Sequence, residues 1–187
     1  MTEIRVQNLC KTYGDHVVLR NLSFTAGVGV TRILGRSGAG KTTLLRILLG
    51  LDQPDSGILF GTNCRWAAVF QEDRLLGNLD AEDNLRFALG SAYNAAAAKA
   101  LLGELGLADA GSKPIREYSG GMKRRLALAR ALLAPSDALI LDEPFTGLDE
   151  ENRSIALRCI LHAAQTKPVL LASHEALDLP NCKEVRL

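Results

Sequence analysis

One stretch of this chain, Gly35-Arg36-Ser37-Gly38-Ala39-Gly40-Lys41-Thr42, combines what polyphosphate binding demands. Glycines let the backbone curl so that successive N–H groups point inward. Lys41 supplies a mobile cation, and Thr42 a hydroxyl for Mg²⁺. The spacing is G-x-x-x-x-G-K-[ST], a phosphate-binding loop. The apolar run Val30 to Leu34 leads in as a buried strand. Thr43 to Leu49 leads out as a helix whose N-terminus adds a partial positive charge. Two further stretches carry chemistry. Asp142-Glu143 follows the apolar run Ala138 to Leu141. A carboxylate at the end of a parallel strand beside such a loop can hold Mg²⁺, the role assigned to Asp142. The adjacent Glu143 faces the space where water would attack a terminal phosphate, so it is the candidate general base. Ser119-Gly120-Gly121 reads as a helix start able to present a hydroxyl and N–H groups to phosphate.

These residues need a scaffold of alternating strands and helices. Ile4 to Gln7, Val17 to Leu19 and Leu22 to Phe24 read as antiparallel strands around a turn at Tyr13 to His16. Turn residues 52–57 separate the phosphate-loop unit from two short strands, Ile58 to Phe60 and Ala67 to Phe70. Asp80 is a helix N-cap with Glu82 and Asp83 in the first turn, and the alanine-rich stretch from Ala95 to Leu102 forms helix strongly. A loop through Gly111 and Pro114 reaches Ser119, which opens a helix from Gly121 to Ala134. Glu150 to Ala164 is a further helix, and Val169 to Ala172 a further strand. The pattern predicts an α/β fold: a mostly parallel sheet flanked by helices, a small antiparallel part, and an all-helical part over about 80–133.

Length and composition set the frame. The chain has 187 residues, 47% hydrophobic and 23% charged, which fits one globular domain over 1–187. A net charge of +1 gives no reason to expect a nucleic-acid partner. Cys10, Cys64, Cys159 and Cys182 lie far apart, which argues against zinc ribbons and disulfide scaffolds and suits a reducing cytosol. The N-terminal residues lack a signal-peptide layout, and no run approaches the length of a membrane span. Any membrane role must therefore come through a partner.

With these residues in place, Tyr118-Ser119-Gly120-Gly121-Met122, just ahead of the acidic strand, resembles the signature motif of the ATP-binding cassette (ABC) ATPases. Two phosphate-binding helix starts cannot both serve one nucleotide from one side of a compact domain. The family's solution is a head-to-tail dimer in which this loop covers the ATP held by the partner. The resemblance implies ATP and Mg²⁺ as cofactors, with Gly35, Ser37, Gly38, Ala39, Gly40, Lys41, Thr42 and Thr43 on the phosphates. It implies Ser119, Gly120, Gly121 and Asp149 acting on the other chain's ATP. By the same resemblance Tyr13 stacks on adenine, Gln71 touches Mg²⁺ and the attacking water, and His174 is the switch histidine near the terminal phosphate. Thr42, Gln71 and Asp142 would then surround the metal. Gly147-Leu148-Asp149 resembles the loop that crosses the dimer interface. His16 and His162 have no such context and read as surface residues.

Within the family, Val69-Phe70-Gln71-Glu72 with Arg74-Leu75-Leu76, plus the run from Tyr118 to Arg125, look closest to ATPase subunits of nitrate, sulfonate and taurine importers. That implies a cytoplasmic protein, peripheral on the inner face of the membrane, working as a homodimeric ATPase with a separate permease and, indirectly, a substrate-binding protein. A coupling helix of the permease would sit after Gln71, in a groove lined by Leu75, Leu76 and Leu79, unless those leucines are core staples. The chain departs from the family pattern in places. The stretch 51–66 is short, Asp73 stands where proline often follows Gln-Glu, and Glu175-Ala176-Leu177 follows His174 with residues missing. Tyr118 and Met122 replace the commoner leucine and glutamine, and few residues follow the last strand. These changes bear on switch geometry, dimer strength and C-terminal regulation. The alternatives are a soluble ABC ATPase without a membrane partner, or a nucleotide-binding regulatory module that has lost turnover. A P-loop kinase would leave Ser119 to Gly121 and Gln71 without a role.

Overall fold

The structure, a computed structural model, describes residues 2–110, 113–174, 179 and 182–187. In chain order it contains β1 (Ile4–Tyr13), β2 (His16–Ala26), β3 (Gly29–Leu34), α1 (Lys41–Leu48), β4 (Ser56–Phe60) and β5 (Trp66–Val69). There follow α2 (Ala81–Leu89), α3 (Ala95–Glu104), α4 (Gly120–Leu133), β6 (Ala138–Asp142), α5 (Glu150–Ala164), β7 (Pro168–Ala172) and β8 (Lys183–Arg186). The expected loop residue Gly111 and the run Glu175 to Leu177 lie outside the described residues.

The strands form two sheets, one in the order β2-β1-β4 and one in the order β5-β6-β7-β3-β8. The pairs β1–β2 and β1–β4 are antiparallel, whereas β3–β7, β3–β8 and β6–β7 are parallel. All five residues of β6 and of β7 are buried, as continuous apolar strands in the middle of a covered parallel sheet must be. The parallel register places the site. Ile33 pairs with Ala172, and Ala172 with Asp142, so one row crosses three strands at their carboxyl ends. The phosphate loop, Glu143 and His174 all emerge just beyond that row, where ligands of open α/β sheets bind.

The chain divides into two compact units. The first comprises Met1–Ala68, Ser136–Glu143 and Ala163–Leu187. Its core joins Ile4, Val6, Leu9 and Leu19 of the antiparallel sheet to Ile33, Ile140 and Leu170 of the parallel sheet. Leu44, Leu45, Ile47 and Leu48 of α1 complete it. Each such side chain stabilises the unit by about 1.5–3 kcal/mol through burial. The second unit, Val69–Pro135 and Pro144–His162, holds α2 and α3, both packed on α4, and most of α5. Its helices start where side chains cap them: Asp80 accepts from the Asp83 amide at 2.9 Å, and Ser119 from the Met122 amide at 3.2 Å. Pro135 stops α4.

Two details differ from the sequence reading. β8, at the edge beside β3, was not expected. Val17 to Leu19 and Leu22 to Phe24, read as separate strands, belong to the single strand β2, and β1 runs on to Tyr13. Asn8 and Asn21 both take positive φ of 50°, and the β1–β2 register shifts between Val6 and Leu9. The alternation is broken there by bulges, not by strand ends.

Candidate active site

In the first unit the phosphate loop is shaped by steric necessity. Gly40, which caps α1, has φ 95°, and a Cβ there would lie 2.6 Å from Val18 Cγ1 and 3.0 Å from the Val18 carbonyl oxygen. Only glycine fits. Gly35, Arg36, Ser37, Gly38 and Ala39 line an open cleft of about 580 Å³. Lys41 is only 8% exposed. Its Nζ donates to the carbonyls of Gly35 at 2.8 Å and Arg36 at 3.4 Å, and lies 3.8 Å from Glu143 Oε1. Those partners satisfy a buried ammonium that would otherwise be costly.

The acidic strand end meets the loop. Thr42 Oγ1 donates to Asp142 Oδ2 at 2.8 Å, across 100 residues of sequence. A hydroxyl and a carboxylate converging in this way are the hard oxygen donors that Mg²⁺ prefers. Among the described residues no group of three or more His, Cys, Asp or Glu side chains could hold a metal ion. Mg²⁺ is usually held by only one or two protein carboxylates, together with substrate phosphates and water.

Glu143 stands at φ 51°, a left-handed conformation uncommon for a residue with a side chain. Its amide donates to the Ala172 carbonyl at 2.9 Å, so the β6–β7 register runs into the site. Its carboxylate lies between Lys41 and His174, whose Nδ1 is 2.9 Å from Oε2. The Glu143 side chain is mostly buried and that of His174 mostly exposed. Such backbone strain at Glu143 is of the kind stored at functional positions. Tyr13, at the end of β1, is 47% exposed. Its hydroxyl donates to Asp52, and Lys11 Nζ lies 5.0 Å from the ring centroid and 3.3 Å from Asp52 Oδ1. The bond pushes the phenol pKa up and the Asp52 carboxyl down. An exposed ring is thereby tethered at its polar tip.

The second unit holds the signature residues. Gly121 cannot carry a side chain, since a Cβ would lie 2.9 Å from the Gly147 carbonyl oxygen. The signature therefore packs at Gly121 directly on Gly147 and Leu148. Asp149 caps α5, accepting from the Asn152 amide at 2.8 Å and from its side-chain nitrogen, which holds its carboxyl below the usual range. Tyr118 is buried, with its hydroxyl on the Ala110 carbonyl at 2.9 Å, so this departure from leucine is an anchor. Gln71 is exposed. Leu76 is exposed too, while Leu75 and Leu79 are partly buried.

The structure thus brings Lys41, Thr42, Asp142, Glu143 and His174 together in one unit; in the other, Gly121 packs on Gly147 and Ser119 caps α4. Gln71 and Asp149 belong to the second unit. Three residues of that unit escaped the sequence reading. Asn84, 3% exposed, clamps Leu76 with both ends of its amide, at 2.8 and 3.1 Å. Arg124 and Arg130 hold the backbone on either side of Gln71. The available signal was Arg124 on the buried stripe of α4 with Ala127, Leu128 and Ala131.

A glycine loop closing on a parallel sheet, with its hydroxyl on an acidic strand end, defines a P-loop nucleotide-binding protein. The chain belongs to the ABC transporter family, whose description "ABC transporter" matches residues 19–146. It is 39% identical over 191 residues to a Nod factor export ATP-binding protein I of Cupriavidus metallidurans, covering 91% of this chain and 62% of that protein. It is 41% identical over 172 residues to an aliphatic sulfonates import ATP-binding protein, SsuB 1, of Rhodococcus jostii, covering 87% and 69%. The chain thus spans about two thirds of the length of these relatives. In fold it is similar to a structure described as an ABC transporter ATP-binding protein from Pyrococcus furiosus, with TM-score 0.88, 24% identity and coverage of 99% and 97%. Among the described residues no helix is long and apolar enough to cross a membrane.

Proposed function

We propose that this chain is the ATP-binding and ATP-hydrolysing subunit of an ABC importer, peripheral on the cytoplasmic face of the membrane. It would energise a separate permease by ATP-driven closure of a dimer. The observation that carries the reading is Glu143, strained and held between Lys41 and His174 just past the strand end where Asp142 meets Thr42. Lys41 and the amides of Gly35 to Thr43 would hold the phosphates, and Tyr13 would stack on the base. Thr42 and Asp142, with Gln71, would hold Mg²⁺, which supplies charge neutralisation on the phosphates. Glu143 takes the proton of the attacking water, and His174 orients the Glu143 carboxylate. Ser119, Gly120, Gly121 and Asp149 of a second copy complete each site.

Import is supported by the 41% identity to the sulfonate importer subunit. The likeness to Nod factor export proteins supplies a second reading, with the same ATPase serving an exporter. The transported substrate is chosen by the permease in either case.

The test is the oligomeric state of Glu143→Gln with and without Mg-ATP, followed by light scattering. Removing the base should leave ATP bound and trap a dimer that falls apart when ATP is withheld. A variant that binds ATP and stays monomeric at every concentration would overturn the composite-site reading.

A further inference from the structure

The segment that begins at Gln71 is tied to the signature helix by side chains to which no role has been given. Arg124 donates from Nη1 to the Phe70 carbonyl at 2.5 Å and from Nη2 to the Gln71 carbonyl at 2.6 Å. Arg130, on the same helix, donates to the carbonyls of Arg74 at 2.7 Å and Asp73 at 2.8 Å. Two guanidinium forks therefore take up four of the five backbone carbonyls from Phe70 to Arg74. Arg124 is 5% exposed, so its charge needs a counter-ion, and Asp73 Oδ1 provides one at 3.2 Å. This accounts for Asp73, which stands where the family often has proline. The loop is also strained: Arg74 takes φ 49° and folds its guanidinium over the Phe70 ring at 4.3 Å. With four of these carbonyls bound to α4 side chains, Gln71 itself stays exposed.

We propose that Arg124, with Arg130 and the counter-ion Asp73, is a positioning residue that fixes Gln71 relative to the signature at Ser119, so that the two shift as one body. A planar fork can hold two carbonyls at once in fixed geometry, which a lysine ammonium does with far less directionality. The inference rests on the ATPase reading for its catalytic consequence, since Gln71 would meet Mg²⁺ and the attacking water. It does not rest on that reading for the structural linkage itself.

The experiment compares Arg124→Lys in the full chain and in a Gln71→Ala background, reading kcat, ATP affinity and amide exchange. Misplacing Gln71 should lower kcat about tenfold while the Kd for ATP stays within about twofold. In the Gln71→Ala background the same substitution should change kcat by less than about twofold, because it acts through a residue already removed. Amide exchange should quicken over residues 70–76 and stay unchanged over the last two turns of α4. A tenfold loss in both backgrounds, or wild-type kcat in Arg124→Lys, would overturn the proposal. Should the isolated wild-type chain release no phosphate, the exchange arm alone decides the linkage: unchanged protection over 70–76 refutes it. Should Arg124→Lys fail to fold, Asp73→Asn removes only the counter-ion and carries the same comparison, with an expected fall of about threefold.

Discussion

Tyr13 illustrates how a single exposed residue can be prepared for a ligand. Its ring is anchored at one end by the bond to Asp52 and flanked by Lys11, so little rotamer freedom remains to be lost on stacking. If adenine stacks there, Tyr13→Ala should weaken ATP binding by about 1–3 kcal/mol and leave tripolyphosphate binding unchanged. Tyr13→Phe keeps the ring and should lose much less. Equal weakening of both ligands in titration calorimetry would place Tyr13 in the fold of the loop and not on the base. At this scale the sequence was most legible where chemistry dictates spacing. Gly35 to Thr42, Asp142, Glu143 and Ser119 to Gly121 announce themselves by type and order. Arg124, Arg130 and Asn84 do not, because their partners are backbone carbonyls and amides, which no residue code marks. Asp149 was expected to face a partner's ATP, and its carboxylate is engaged in capping α5.

The elements are joined by a few specific ties as well as by burial. Arg65, just before β5, donates to Asp137, just before β6, from its backbone at 2.9 Å and from Nε and Nη2 at 3.1 and 2.9 Å. The Asp137 amide returns a bond to the Arg65 carbonyl at 2.8 Å. Arg65 holds the Asp137 carboxyl down at about 2, from an ordinary 3.8. A depressed carboxyl contributes stability above its unfolded pKa and loses it as pH falls through the folded one. Asp137→Asn should therefore melt below the wild type at neutral pH. The gap should narrow from about pH 4 and close near pH 2. A gap that stays constant across that range would remove the ion pair from the account. Which strands pair was only partly legible. Ile58 to Phe60 reads as a strand, but nothing local says that it joins β1, while its neighbour β5 joins β6 in the other sheet. β8 is four residues, Lys-Glu-Val-Arg, with one apolar side chain, too short for any period to show.

At the scale of the whole molecule, the residues proposed to meet phosphate are divided between the two compact units. The first carries the loop, the acidic strand end and Glu143. The second carries the signature start, the loop at Gly147 and Gln71. The central claim is that ATP is hydrolysed only when the second unit of one copy completes the first unit of another. It is tested most directly by steady-state phosphate release with Mg-ATP over a wide range of protein concentration, in the wild type and in Glu143→Gln. Specific activity should climb steeply with concentration as dimers form. It should fall by about 10²–10⁴-fold when the general base is removed. Specific activity that is independent of concentration and survives Glu143→Gln would contradict both the composite site and the base.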